Sequence, residues 1–258
     1  MRKTVRWDNL TRVEIAQLIE EDVIVIIPTG STEQHGPHLA VGSDAIIITE
    51  IAERVAAEVN KRGKKCVVGP TISVANSIHH MSFPGTITLQ PSTYIQVLTE
   101  YCRCLKTHGV RRIIIVNGHG GNTNPNNLAL ITINEEFGFP VFHVGFWAGG
   151  EEEMAAVVET QEAGTIHACE GETSLLMAYD EDLIRPCYKE LKGNIERPGL
   201  EPEVKLVSTF HRMEWTTDNG IEGNTYAATK EKGVKLLDIS VKHLTDILCC
   251  DQLWEDCK

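Results

Sequence analysis

The sequence has no long apolar run, and its longest, Val23 to Pro28, is far shorter than the roughly 20 residues of a membrane span. The first residues carry charge and lack an apolar stretch followed by a small-residue cleavage site, so we expect no secretory signal and a cytoplasmic protein. None of the eight cysteines forms a CxxC pair, which disfavours a zinc ribbon or a thioredoxin-type motif. We expect the cysteines to be reduced and mostly buried in the core.

Basic residues are scarce, with 24 Lys and Arg against 36 Asp and Glu and a formal net charge of −12. This balance argues against nucleic acid or an anionic membrane as the main partner. Neither GxGxxG nor GK[ST] occurs, which disfavours nucleotide binding. No repeat, low-complexity segment or clear linker interrupts the chain, so we expect one domain over residues 1–258.

Strand-like apolar runs alternate with longer helical patterns along the chain, and this alternation predicts an α/β fold with a mostly parallel sheet. The segment 189–223 is the least regular and is expected to be a lid or an interface. The predicted strands cover 23–31, 66–74, 113–122 and 140–149. The predicted helices cover 11–21, 46–63, 91–110, 126–138, 151–162, the later half of 167–179, and 229–250.

Ligands in open α/β sheets bind beyond the carboxyl ends of the strands, and a dense polar loop follows the first predicted strand. This loop contains Glu33, His35, His38 and Asp44. Carboxylates and imidazoles at this spacing could surround a divalent cation, which takes oxygen and nitrogen ligands. The alternative is a solvated polar loop in which His38 is hydrogen-bonded and Glu33 is a surface charge.

A second candidate is His119, which follows the third predicted strand and has glycines on both sides. Glycine lets the backbone turn sharply, so the imidazole can project past the edge of the sheet. Asn117 and Asn122 are expected to hold this loop through hydrogen bonds from their side chains to the backbone.

A third candidate is the stretch HACEGETS, which places His167, Glu170 and Glu172 within six residues. Glu172 would lie in the first turn of a helix, where the helix dipole favours a carboxylate with or without a metal. Each of the three candidates is ambiguous alone. Together they predict a site for one or two metal ions at the carboxyl ends of the strands.

Five motifs occur in an order that resembles the creatininase (creatinine amidohydrolase) family, over nearly the whole chain from about Thr11 to Leu248. The resemblance implies a Rossmann-like, three-layer α/β/α sandwich. It also implies two divalent metal ions, usually zinc, manganese or iron, and hydrolysis of a carbon–nitrogen bond. The motifs are STEQHGPHLAVGSD, FPGTITL, VNGHGGN, HACEGETSLL and GIEGNTYAATKEKG.

The resemblance also implies metal ligands. Glu33 and His119 would be terminal ligands of one ion, His35 a terminal ligand of the other, and Asp44 the carboxylate that bridges them. Creatininase itself has a glutamate two residues after the NGH histidine, where this chain has Gly121.

Because of this departure, Glu172 is the expected remaining ligand, with Glu170 as the alternative. The same departure argues against creatinine itself as the substrate. The wider family includes deformylases of formamidopyrimidines and hydrolases that open an oxidised inositol ring. It forms hexamers, so we expect a homo-oligomer, with the segment 189–223 as a plausible contact.

Catalysis would also need a proton donor for the leaving atom, and His167 or Glu170 could serve, with His167 preferred. His79 and His80 follow the second predicted strand, so one of them could contact substrate, although a histidine bonded to backbone is the alternative. Trp147 could stack on a flat substrate ring or could be a core residue.

These residues predict a metal-dependent hydrolase that acts on a small cyclic amide or formamide. The alternative is hydrolysis of a carbon–carbon bond in a cyclic ketone such as an oxidised inositol. A non-catalytic scaffold is disfavoured because so many ionisable residues of the expected site are intact.

Overall fold

A computed structural model of the chain describes residues 4–159, 167–193 and 210–257, and it confirms the α/β fold with a parallel sheet. The strands are β1 (Ile24–Thr29), β2 (Cys66–Val68), β3 (Arg112–Asn117) and β4 (Phe142–Gly145), and their order in the sheet is β2-β1-β3-β4. The α-helices are α1 (Arg12–Glu20), α2 (Ser43–Lys61), α3 (Pro91–Thr107), α4 (Thr123–Phe137), α5 (Glu151–Ala155), α6 (Glu170–Tyr179) and α7 (Lys230–Cys249).

The central strand β1 is buried on both faces, as its continuous apolar sequence predicts. Ile24 and Ile26 contribute to a core cluster with α2, α6 and α7. Val25 and Ile27 point to the opposite face and belong to a second cluster with α3 and α4. Helices therefore cover both faces of the sheet, which confirms the three-layer arrangement.

Helix boundaries follow ordinary capping chemistry. Thr11 and Glu14 form a reciprocal capping box at the start of α1, and the Thr229 side chain accepts a hydrogen bond from the backbone of Lys232 at the start of α7. Pro91 occupies the first turn of α3, where its missing N–H costs nothing. These local signals explain why the helix predictions lie close to the observed bounds.

Four predicted elements extend at least four residues beyond the observed ones. The strand predicted over 113–122 ends at Asn117, and a short 3₁₀ helix covers Gly120–Asn122. The strand predicted over 66–74 ends at Val68, because Pro70 has no N–H to continue the ladder, and an isolated bridge between Thr29 and Ile72 follows. The strand predicted over 140–149 ends at Gly145, and the helix predicted over 151–162 ends at Ala155. Residues 160–162 of that helix, and 194–209 of the irregular segment, lie outside the described residues.

No helix in the described ranges combines the length and the apolar character that crossing a membrane would require.

Close packing of α6 against α7 depends on Gly233. A Cβ atom at Gly233 would overlap the backbone carbonyl oxygen of Ser174 in α6, and backbone atoms cannot move aside as a side chain can. The neighbouring Val234 is exposed, so a substitution there changes the same helix without affecting this contact and serves as the control.

We predict that Gly233→Ala lowers the free energy of unfolding by about 1–3 kcal/mol, because the overlap outweighs the better helix propensity of alanine. Val234→Ala should change it by less than about 0.5 kcal/mol. Urea unfolding followed by circular dichroism measures both. Equal stability of Gly233→Ala and the unaltered protein would show that the helices can separate without cost.

Candidate metal centre

The carboxyl ends of β1 and β3 bring the candidate residues to one edge of the sheet. The strands end at the paired residues Thr29 and Asn117, so the loops that follow leave the sheet side by side. A Cβ atom at Gly30 would overlap the backbone of Ala45. The loop after β1 therefore lies directly against the first turn of α2, which carries Asp44.

The loop after β3 is held by asparagine side chains, as predicted. The Asn117 side chain donates to the His119 carbonyl oxygen at 2.7 Å and accepts from the His119 backbone N–H at 3.2 Å. Asn122 donates to the Gly30 carbonyl oxygen at 2.9 Å, which ties this loop to the one after β1. The backbone of His119 is thus fixed relative to both strands.

Three buried carboxylates lie at the centre of the cluster. Glu33 is fully buried, and Asp44 and Glu172 are 3% and 8% exposed. One oxygen of Glu33 (Oε1) and one of Asp44 (Oδ2) make no hydrogen bond within the described residues. Burying a carboxylate oxygen without a partner is costly, so the arrangement favours a cation between these groups.

Other oxygens of these carboxylates accept hydrogen bonds. Ser31 Oγ donates to Glu33 Oε2 at 3.1 Å, and Glu172 Oε2 accepts from the backbone N–H of Ala168 at 2.5 Å. Burial raises the pKa of Glu33, and it raises the pKa of Glu172 to about 7. Both shifts reflect the cost of keeping a negative charge away from water.

His35 and His119 share one hydrogen-bonding pattern. His35 donates from Nδ1 to the Glu33 carbonyl oxygen at 3.0 Å, and its Nε2 lies 3.0 Å from Asp44 Oδ1. His119 donates from Nε2 to the Asn76 carbonyl oxygen at 3.1 Å, and its Nδ1 lies 3.0 Å from Asp44 Oδ2. Each ring therefore uses one nitrogen to fix its orientation and directs the other to the carboxylates.

The carboxylates control the charge of both rings. Burial alone would lower the pKa of His35, but Asp44, Glu172 and Glu33 raise it to about 10. Burial also opposes charge on His119, while Glu33 and Asp44 raise its pKa to about 9. Burial disfavours the charged form of Asp44 in turn, but these two imidazoles hold its pKa well below the usual range. Without a metal ion, the cluster attracts protons.

His167 follows the same pattern from α6's side of the cluster. Its Nε2 lies 3.0 Å from the Gln34 carbonyl oxygen, which can only accept, so Nε2 carries the proton. Its Nδ1 lies 3.6 Å from Glu33 Oε1. Burial, together with the charge on His35, holds the pKa of His167 well below its ordinary value. Nδ1, which faces the cluster, therefore carries a lone pair and no proton.

Ligand atoms converge in three overlapping groups, in each of which every atom lies within 4.8 Å of the others. All five predicted ligands belong to these groups, and the structure adds His79 and His167. The groups are Glu33–His79–His119, Glu33–His35–His167 and His35–Asp44–Glu172.

Gly121 leaves no room for a side chain at the position where creatininase was expected to have a glutamate. A Cβ atom there would overlap Nε2 of His119 and lie 2.6 Å from the Asn76 carbonyl oxygen and 2.8 Å from His79 Cε1. The imidazole of His79 stacks on that of His119, with ring centroids 5.7 Å apart and an interplanar angle of 15°. Imidazoles therefore crowd the side of the cluster where Gly121 lies.

A cavity of about 480 Å³ opens onto the cluster. His79 and Trp147 line it and are half-buried, and Trp147 packs edge-on against Phe146 with ring centroids 5.1 Å apart. His80 also borders the cavity but is 2% exposed, and its Nε2 lies 3.4 Å from Glu33 Oε1. His79 and Trp147 are thus better placed than His80 to contact a substrate.

Two candidate residues lie outside the cluster. Glu170 is fully buried and pairs with Lys232 Nζ at 2.6 Å, while it also accepts from the backbone N–H of Glu159. This ion pair does not fit the predicted role of proton donor or metal ligand. His38 bonds Thr173 Oγ1 at 2.9 Å, as the alternative interpretation of that residue expected.

Sequence reasoning missed Gln34, whose backbone carbonyl orients His167 and whose side chain is buried beside His80. Its position between Glu33 and His35 was the available signal, but an amide has no chemistry that singles it out in a sequence.

Comparison with known proteins agrees with this geometry. The family model for creatininase, described as creatinine amidohydrolase, matches residues 8–248. A mycofactocin precursor peptide peptidase from Mycobacterium tuberculosis (strain H37Rv) is 37% identical over 226 residues, which cover 86% of this chain and 82% of the relative. A 3-dehydro-scyllo-inosose hydrolase from Thermotoga maritima is 27% identical over 270 residues, covering 95% of this chain and 84% of the relative.

Solved structures share the fold. A crystal structure of creatinine amidohydrolase superposes with a TM-score of 0.82 at 23% identity, covering 96% of this chain and 97% of that one. A structure named as the manganese form of creatininase gives a TM-score of 0.79 at 23% identity, covering 95% and 98%. With the family model spanning nearly its whole length and a relative 37% identical to it, the chain belongs to the creatininase family of hydrolases.

Proposed function

We propose that this hydrolase depends on two divalent metal ions held by the cluster at the carboxyl ends of β1 and β3. The observation that carries the proposal is the shared pattern of His35 and His119. Each donates one ring N–H to a backbone carbonyl oxygen and turns its other nitrogen toward buried carboxylates. Histidines that bind metals in proteins are oriented in this way.

Asp44 is the proposed bridging ligand. Its two oxygens face different histidines, with Oδ1 3.0 Å from His35 Nε2 and Oδ2 3.0 Å from His119 Nδ1. Glu33 lies with His119 on one side, its Oε1 3.3 Å from Nδ1. Glu172 lies with His35 on the other side, 3.8 Å from Nε2. We therefore assign Glu33 and His119 to one ion and His35 and Glu172 to the other.

Two divalent ions, each zinc, manganese or iron as the family resemblance implies, would supply a hydroxide nucleophile near neutral pH and polarise the carbonyl under attack. The manganese-form creatininase supports manganese as one candidate. His167 is the proposed catalytic acid and base. Its Nδ1 faces the cluster without a proton, so it can accept the proton of the attacking water and return it to the leaving nitrogen.

The proposed substrate is a small cyclic amide or formamide. A cavity of about 480 Å³ has the size of a small-molecule site, and the half-buried Trp147 offers it a flat apolar surface. His79 lines the same cavity and could bond to a polar group of the substrate. A cyclic ketone cleaved at a carbon–carbon bond is the second candidate, favoured by the inosose hydrolase that aligns with 95% of the chain.

Metal content tests the proposal first. We predict about two divalent ions per chain in protein purified without chelator, because the two oxygens of Asp44 face nitrogens of two different histidines, each at 3.0 Å. Asp44→Asn should lose most of this metal, while Asp238→Asn, on the exposed face of α7, should keep it. Mass spectrometry of dialysed protein provides the counts. Equal metal in Asp44→Asn and the unaltered protein would contradict the bridging role.

Proton release tests the electrostatics of the cluster. With pKa values of about 10 and 9, His35 and His119 carry protons at pH 8 in metal-free protein, and metal must displace them. We predict that about two protons are released as zinc binds. The affinity for zinc should therefore rise with pH. Calorimetry at pH 8 in buffers of different ionisation enthalpy measures the number. Binding heats that are independent of the buffer would contradict this prediction.

Activity is tested by a screen of cyclic amides, formamides, short peptides and inosose-type ketones, before chelation, after it and after zinc or manganese is restored. On the substrate that is hydrolysed, His167→Asn should lower kcat by about 10²- to 10⁴-fold through loss of proton transfer. His108→Asn, at the exposed end of α3, should leave kcat unchanged. Full activity of His167→Asn would remove this residue from the chemistry.

A further inference from the structure

Gln34 is buried, with 4% of its surface exposed, and its side-chain amide lies between His80, Gly36 and Gly220. Its Nε2 lies 2.9 Å from His80 Nδ1 and 3.1 Å from His167 Nε2, and it donates to the Gly220 carbonyl oxygen at 3.0 Å. Its Oε1 accepts from the backbone N–H of Gly36 at 2.9 Å. The amide is thus held on both sides by backbone atoms.

These two backbone contacts decide which way the amide faces. The N–H of Gly36 requires the amide oxygen, and the carbonyl of Gly220 requires the amide nitrogen, so the reversed orientation would break both hydrogen bonds. Gly220 has a φ of +78°, and a side chain there would overlap the amide of Gln34. The segment around Gly220 therefore packs against the amide and keeps it in place.

The orientation of the amide dictates the tautomer of His80. The amide nitrogen has two hydrogens, and one goes to the Gly220 carbonyl oxygen. His167 Nε2 already donates to the Gln34 backbone carbonyl and cannot accept, so the second hydrogen goes to His80 Nδ1, which carries no proton. The proton of the neutral ring is then on Nε2, which lies 3.4 Å from Glu33 Oε1. Glu33 Oε1 makes no hydrogen bond within the described residues. The His80 N–H therefore directs its partial positive charge at this buried carboxylate oxygen.

His80 thereby differs from three other histidines of the cluster. His35, His119 and His167 each donate to a backbone carbonyl and turn the second nitrogen inward. His80 instead accepts from a side chain and turns an N–H inward. If its tautomer were reversed, a lone pair would face Glu33 and repel it.

We propose that Gln34 is a positioning residue that fixes His80 as the Nε2–H tautomer, so that a neutral N–H donor, and not a further metal ligand, faces Glu33. This role deepens the proposed function, since what Glu33 binds rests on the metal assignment. The tautomer of His80 itself does not depend on the metal assignment. Gln34 thus orients two histidines of the site, His167 through its backbone carbonyl and His80 through its side chain.

Histidine side-chain nitrogen NMR tests the proposal on the full chain, with and without zinc. The His80 signals are assigned by their loss in His80→Gln. In the unaltered protein we expect a protonated Nε2 and an unprotonated Nδ1. Gln34→Glu replaces the donor by a carboxylate of the same shape, which only accepts, so the proton should move to Nδ1 and the two nitrogen shifts should exchange regions.

Gln34→Met removes the amide at similar length and should lower the population of the Nε2–H tautomer, so it serves if Gln34→Glu does not fold. Gln90→Glu makes the same chemical change at an exposed position before α3 and should leave His80 unaffected. A proton on Nδ1 of His80 in the unaltered protein, or an unchanged tautomer in the folded variant, would overturn the proposal. Zinc content of the same samples tests the metal assignment separately.

Discussion

The site depends on the burial of two carboxylates, Glu33 and Asp44, each with an oxygen that makes no hydrogen bond within the described residues. Such groups are unstable in a protein interior unless a positive charge lies beside them. In the metal-free chain that charge comes from protons on His35 and His119, whose pKa values rise to about 10 and 9. The same electrostatic field that holds these protons would hold divalent cations. Protons and metal ions therefore compete for the same histidine nitrogens and carboxylate oxygens.

The fold supplies the rigidity that this cluster needs. β1 and β3 are paired over six residues up to Thr29 and Asn117, and both strands are flanked by cores on the two faces of the sheet. The loops after them are then tied together by Asn122 and Gly30. Because the backbone carbonyls that orient His35, His119 and His167 belong to the loops after β1 and β2, the ring orientations follow from the strand register.

Much of this arrangement follows from the sequence because local rules apply. Apolar runs and capping residues predict the helices and strands, and polar residues after β1 and β3 must meet because parallel strands end at one edge. Glu170 shows the limit: its partner Lys232 is distant in the chain, so no spacing rule identifies a buried ion pair. The direction of the Gln34 amide is equally inaccessible, since it is decided by Gly220 from another part of the chain.

The central claim, two divalent ions on either side of Asp44, is tested most directly by anomalous X-ray diffraction from crystals of the zinc-loaded protein, with data on both sides of the zinc absorption edge. The account predicts two anomalous peaks that flank the Asp44 carboxylate, one beside Glu33 and His119 and the other beside His35 and Glu172. No peak at this cluster, or zinc bound only elsewhere on the chain, would contradict it.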